Sequence, residues 1–143
     1  MIIDEAALEG VIADNVVPQR LLLALLGGFR CGWCGRALRM ANNLPRSATI
    51  EHLLPQGHPD RHRLASKIAA CLRCNALRGS LPAQWFAHLV ALYGARLPER
   101  GSARYVVLQR SLHRLAHRHA GSQSGSARSV RLRIPAPTRR VMA

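Results

Sequence analysis

Four cysteines stand in two matched pairs, Cys31-Gly-Trp-Cys34 and Cys71-Leu-Arg-Cys74. Each pair presents two thiolates from one tight turn, and two such turns supply the four soft ligands of a tetrahedral zinc site. A reactive dithiol would need a thioredoxin-like strand and helix around one pair, and that pattern is absent. The 36 residues between the pairs exceed an ordinary zinc-ribbon gap, so something is built between the two knuckles. Within that insert, Thr49-Ile50-Glu51-His52-Leu53-Leu54-Pro55 sets an acid beside a histidine at a strand end. Neighbours on a strand point to opposite faces, yet a bend at Pro55 would let both reach one cleft. Past the second knuckle, Cys74-Asn75-Ala-Leu-Arg78-Gly79 puts an asparagine at a helix start.

The elements that must hold these residues are legible in outline. In residues 2–14, Ile3, Ala7, Leu8, Val11 and Ile12 fall at helical spacing, with acids at the front where a helix dipole favours them. Pro18 opens a second helix through Leu21–Leu26, and Gly27-Gly28 closes it. The cysteine-bounded block from Phe29 to about Gly79 contains one β-type run, Ala48–Leu54, ended by Pro55 and followed by the polar loop Gln56–Arg63. Asn75–Arg78 suits a first helical turn. Ser80-Leu81-Pro82 then opens a helix over Ala83–Tyr93 that Gly94 stops.

A last helix is expected over Ser102–His119. Tyr105, Leu108, Leu112 and Leu115 form its apolar stripe, while Arg110, Arg114 and Arg118 repeat every four residues on another face. Beyond Ala120, the Gly/Ser-rich start and the Arg, Ser and Pro that follow bury too little apolar surface to order a segment. The chain thus divides into an N-terminal helical segment (1–27), a zinc-framed domain (28–94), a basic amphipathic helix (95–120) and a disordered basic tail (121–143). No internal repeat is visible.

At 143 residues the chain has room for one ordinary domain. It is 48% apolar but has only six aromatic residues, so a metal staple would supply stability that its core lacks. Twenty-one basic side chains against seven acids give +14, which points to a polyanionic partner, nucleic acid above all. The first 14 residues hold four acids and no Lys or Arg, leaving +18 on the remainder. From Arg100 onward there are ten Arg and no acid. A protein-interaction adaptor would leave this charge unexplained. The best membrane candidate, Val16–Leu26, is interrupted by Pro18, Gln19 and Arg20 and falls well short of about 20 apolar residues. The acidic start is no signal peptide, and a cytoplasmic location is expected.

Taken together, Phe29-Arg30-Cys31-Gly32-Trp33-Cys34-Gly35, then Glu51-His52 with Pro55, then Cys71-x-x-Cys74-Asn75-x-x-Arg78-Gly79, resemble the HNH endonucleases with a four-cysteine zinc frame. The resemblance covers residues 28–79. It implies an α+β fold, a small ββα-metal (treble-clef-like) core flanked by N- and C-terminal helices. It further implies a hairpin carrying the histidine and a helix carrying the last ligand, with zinc on Cys31, Cys34, Cys71 and Cys74. Carried over by position, His52 would be the general base that takes a proton from the attacking water, and Glu51 and Asn75 would hold a magnesium or manganese ion against the scissile phosphate. An imidazole accepts a proton near neutral pH, and a hard ion prefers oxygen ligands.

Ser66 stands where the family commonly carries a middle asparagine, so Ser66, His58 or His62 would share that residue's task of orienting the base. Arg78 stands where lysine is usual, and either can hold a phosphate. The implied substrate is DNA, with RNA not excluded. A zinc-stabilised nucleic-acid-binding module that no longer cuts is the alternative, favoured by Ser66.

Other residues carry plainer readings. Asn75 also suits a helix cap. Trp33, Trp85 and Phe86 suit a core short of aromatics better than a base-stacking platform. His88 suits a helix surface. His113 and His117, four apart with no third ligand nearby, extend the basic face rather than bind metal. Arg110, Arg114 and Arg118, uncompensated by any acid, suit a phosphate backbone.

Overall fold

The computed structural model describes residues 16–123. Helix α1 spans Val16–Leu26, starting two residues ahead of Pro18. A proline is tolerated there because the first helical turn needs no main-chain donor from it. Leu23 and Ala24 face inward at 5% and 0% exposure. The helix ends at the expected glycines: the Gly27 amide donates to the Leu23 carbonyl (3.0 Å) and the Phe29 amide to that of Ala24 (2.7 Å). Gly28 (φ +63°) and Phe29 (φ +55°) both adopt the left-handed conformation, which glycine enters without the steric cost that Phe29 bears.

The chain then folds back as a short turn. An isolated bridge joins Arg30 to Ala37, the Cys31 amide donates to the Arg36 carbonyl (2.8 Å), and Gly35 takes φ +72° at the tip. Strand β1, Ala48–His52, pairs antiparallel with β2, Lys67–Cys71, in a register that opposes Ala48 to Cys71 and His52 to Lys67. The strand stops two residues before the expected Leu54. After Leu53 donates to the Ser66 carbonyl (2.9 Å) the ladder ends, and the Leu54 carbonyl is taken by the Arg61 guanidinium (2.9 Å). Ala69, Ala70 and Cys71 are all buried, so β2 lacks the alternation that marks a half-exposed strand. Sequence patterning pointed to no strand here; only the family resemblance implied a hairpin.

Helix α2, Leu72–Arg78, follows β2 directly, with Cys71 as its N-cap. Helix α3, Ala83–Tyr93, has the expected bounds and ends at Gly94. Helix α4, Ala103–Gln123, packs against α2 and is longer than expected. Gly121, Ser122 and Gln123, expected in a disordered tail, continue the helix, since adding a residue to an existing helix is far easier than nucleating one. The remaining tail, and the helix expected over residues 2–14, lie outside the described residues.

The described residues make a small α+β fold: one two-stranded sheet and four helices around one hydrophobic core. Helix α1 covers both strands, and Leu77, Leu81, Phe86, Tyr105, Leu112 and Ala116 all belong to that core. Among these residues no helix is long and apolar enough to cross a membrane.

Candidate metal centre and the adjoining histidine site

The sheet brings the two cysteine pairs together. Cys71 ends β2 and Cys74 lies in the first turn of α2, so both follow from one strand-to-helix junction. The first knuckle is docked onto that junction by the Gly32 amide, which donates to the Ala69 carbonyl (2.9 Å). A Cβ at Gly32 would come within 2.8 Å of the tip of the Ile68 side chain, which would have to turn aside to admit it. The four Sγ atoms all lie within 4.8 Å of one another, and Cys34 Sγ is 3.9 Å from Cys71 Sγ. Zinc–sulfur bonds of about 2.3 Å at tetrahedral angles place sulfurs about 3.8 Å apart, so the donor set fits zinc. Main-chain amides also point at the sulfurs: Cys71 and Trp33 donate to Cys31 Sγ (3.2 and 3.4 Å), and Cys74 to Cys71 Sγ (3.5 Å). These four cysteines could hold a metal ion, compatible with structural zinc.

Without metal the thiols compete for protons. Hydrogen bonds from Cys31, Cys71 and Cys74 pull the Cys34 thiol far below its ordinary value, while Cys31 and Cys34 push Cys71 and Cys74 up. A bound divalent ion would replace that sharing by four deprotonated ligands.

The insert between the knuckles separates Glu51 from His52. Strand alternation sends them to opposite sides, as the pleat requires, and the bend at Pro55 does not reunite them. Glu51 is 4% exposed. Its carboxylate accepts from the Arg78 guanidinium and, at 3.2 Å, from Trp33 Nε1. Burial holds its proton affinity above the ordinary carboxyl value, against the pull of Arg78 and Trp33. Asn75, on the helix facing β1, spends its amide nitrogen on Thr49 Oγ1 (2.9 Å) and the Ile50 carbonyl (3.2 Å). Glu51 and Asn75, expected to hold a catalytic ion, therefore do not fit one as arranged, because the Glu51 carboxylate is enclosed and committed to Arg78 and Trp33.

Arg78 also departs from expectation. Expected to hold a phosphate, it is 6% exposed and donates to Glu51, to the carbonyls of His52 (2.7 Å) and Leu81 (3.0 Å), and to that of Leu53 (3.4 Å). Its planar guanidinium also lies 5.7 Å from the centre of the Trp33 ring. It is an internal clasp tying the end of β1 to the end of α2.

His52 lies half-buried on the other side of the strand. Its ring meets that of His62 edge to face, centroids 5.5 Å apart. Burial first, then the charges of Arg61 and Lys67, hold His52 below its ordinary pKa. Ser66 adjoins through its main chain, its carbonyl accepting from the Leu53 amide. His58 instead turns back on its own loop, Nδ1 accepting from the Asp60 amide (3.1 Å).

Arg110, Arg114 and Arg118 are exposed along α4, as expected. Phe86 is fully buried, and Trp33 packs edge-on against it at 5.2 Å, so these aromatics belong to the core. Trp85 is half-buried and packs on His119 (4.6 Å). Sequence reasoning passed over Arg73, buried between the second pair of cysteines, and Glu99, which pairs with Arg73 and Arg36. The signals that could have found them were an arginine inside a Cys-x-x-Cys turn and the last acid of a strongly basic chain.

No family model, curated protein or solved structure matches this chain.

Two outcomes follow from this geometry. Stripping metal with a chelator, or replacing Cys74 by Ser, should abolish the cooperative thermal transition, and metal analysis of the intact protein should find close to one zinc per chain. Removing one member of a buried ion pair costs about 3–5 kcal/mol, so Glu51→Ala should lower unfolding stability by that order. In denaturant titrations, a double Glu51→Met/Arg78→Met variant should lose clearly less than the sum of the two single changes.

Proposed function

We propose that the chain is a small HNH-type endonuclease that hydrolyses DNA phosphodiester bonds, with His52 as the general base. One observation carries the reading: His52 sits at the end of β1, half-exposed, held toward its neutral form, with His62 against it and the charges of Arg61 and Lys67 close by. A neutral imidazole among cations is suited to take a proton from water while a phosphodiester is drawn to the same place. The succession of strand, strand and helix, with cysteines at the junction, supports the reading further. The exposed arginines of α4 would add affinity for any sequence through counterion release.

In this mechanism His52 takes the proton of the attacking water as its oxygen bonds to phosphorus. The P–O bond to the leaving sugar oxygen breaks, and that oxygen takes a proton from solvent. Meanwhile His62 packs edge to face against the His52 ring, and Arg61 and Lys67 offset charge gathering on the phosphate. No step is assigned to an ion on Glu51 and Asn75, whose arrangement does not fit one. That enclosure, together with Ser66 in place of the middle asparagine, favours a second reading: a zinc-framed module that binds nucleic acid without cutting it.

Supercoiled plasmid incubated with magnesium, manganese or EDTA separates the two. The nuclease reading expects nicking that disappears in His52→Ala while zinc content is unchanged. Its acid limb should lie below the ordinary histidine pKa of about 6.5, because the lowered pKa keeps His52 neutral to lower pH. A mobility shift without cutting under any metal condition would leave the binding module. In either case, changing Arg110, Arg114 and Arg118 to Ala should weaken binding about equally on all sequences. The slope of log affinity against log salt should fall by about 1 for each phosphate no longer neutralised.

A further inference from the structure

Helix α1 turns Leu23 and Ala24 into the core, but Leu21 and Leu25, one turn apart, and Leu26 stay exposed. Beside the end of this helix lies a groove of about 540 Å³, bounded on its far side by the stretch from Leu64 to Ala69. Its apolar wall includes Leu23, Leu26, Leu64 and Ile68, and its two charged residues, Arg30 and Lys67, are both cations. Arg30 donates to the Gly35 carbonyl (3.1 Å) and Lys67 to Gln19 Oε1 (3.0 Å). An apolar surface rimmed by charge in this way marks a contact site. The three acids among the described residues are already paired: Glu51 with Arg78, Asp60 with Arg63, and Glu99 with Arg36 and Arg73. The chain's other four acids, Asp4, Glu5, Glu9 and Asp14, all precede α1.

We propose that this groove is the docking site of the chain's own residues 3–12, which lie outside the described residues and would return antiparallel along α1. Ile3, Ala7, Leu8, Val11 and Ile12 recur at helical spacing, so one face meets the leucines of the groove. Glu5 and Glu9 fall at the edge of that face, where they offset Arg30 and Lys67. The length fits. Residues 13–15 are a connection of the size that joins antiparallel helices, and ten helical residues span about 15 Å against about 17 Å for α1. The chain's other end fits worse: residues 124–143 carry five Arg and no acid, so Arg30 and Lys67 repel them. The inference rests neither on the nuclease reading nor on a metal among the cysteines.

The test puts the photo-crosslinking residue benzoylphenylalanine in place of Leu8 in the full-length protein, with isotopically light and heavy chains mixed in equal amounts. Irradiation should link this position to peptides holding residues 23–32 or 64–69 of the same chain. In wild type, the Leu8, Val11 and Ile12 amides should exchange at least about tenfold more slowly than in a free peptide of residues 1–15. Leu26→Glu sets a like charge in the groove, and the pair Glu5→Lys/Glu9→Lys reverses the segment's charge without touching the described core. Each should abolish both the link and the slowed exchange. Links between light and heavy chains would assign the groove to a second copy and overturn the proposal. So would links to other surfaces, a link that survives these changes, or exchange as fast as in the free peptide. Should Leu26→Glu fail to melt cooperatively, the double lysine variant decides: loss of the link supports the docking, and its persistence sinks it.

Discussion

Four sulfur atoms within 4.8 Å of one another are the constraint on which the other elements depend. Two come from a turn that follows α1, and two from the junction of β2 and α2, so one cluster ties together segments 40 residues apart at Cys31 and Cys71. The sheet has only two strands, and an isolated hairpin is marginal in water at best. A closed metal site would supply what so small a sheet and so few aromatic residues cannot. The Gly32–Ala69 hydrogen bond and the amides aimed at Cys31 and Cys71 show the main chain shaped around the sulfurs.

Charge is handled by burial in pairs. Glu51 with Arg78 ties the end of β1 to the end of α2, and Glu99 joins Arg36 to the buried Arg73. Among the described residues, Arg73 and Arg78 are the buried guanidinium groups of a chain whose other arginines lie mostly toward solvent. A buried ion pair adds little net stability over well-packed apolar groups, but it does define which partner each group must meet. Here it costs the Glu51 carboxylate its freedom, and it turns a residue expected to face phosphate into an internal clasp. His52, one residue along, escapes that enclosure because the pleat turns it to the other side.

Much of this was legible in the residues themselves. The paired Cys-x-x-Cys spacing pointed to a four-sulfur centre because each short turn can offer two thiolates to one ion. Pro82 and Gly94 bracketed α3, and Gly27-Gly28 closed α1, because the start and stop chemistry of a helix is local. The arginine stripe of α4 followed from helical spacing alone. Strand β2 was not legible from pattern: Ala69, Ala70 and Cys71 are buried in succession, and without alternation no period marks them as a strand. The end of α4 was misplaced because Gly and Ser favour a break in isolation, while a helix already formed carries through them.

Sequence by itself determined the donor types, the order of the helices and the faces that must be apolar or basic, since each depends on residues close along the chain. Tertiary structure decided which polar groups were spent. Whether Glu51 meets an ion or an arginine, whether Arg78 faces solvent or core, and which histidine touches His52 all depend on groups 10 to 27 positions apart meeting in space. No local pattern encodes those meetings. They are settled by how the hairpin, α2 and the cysteine turns pack, and by the cost of leaving any charge inside without a partner.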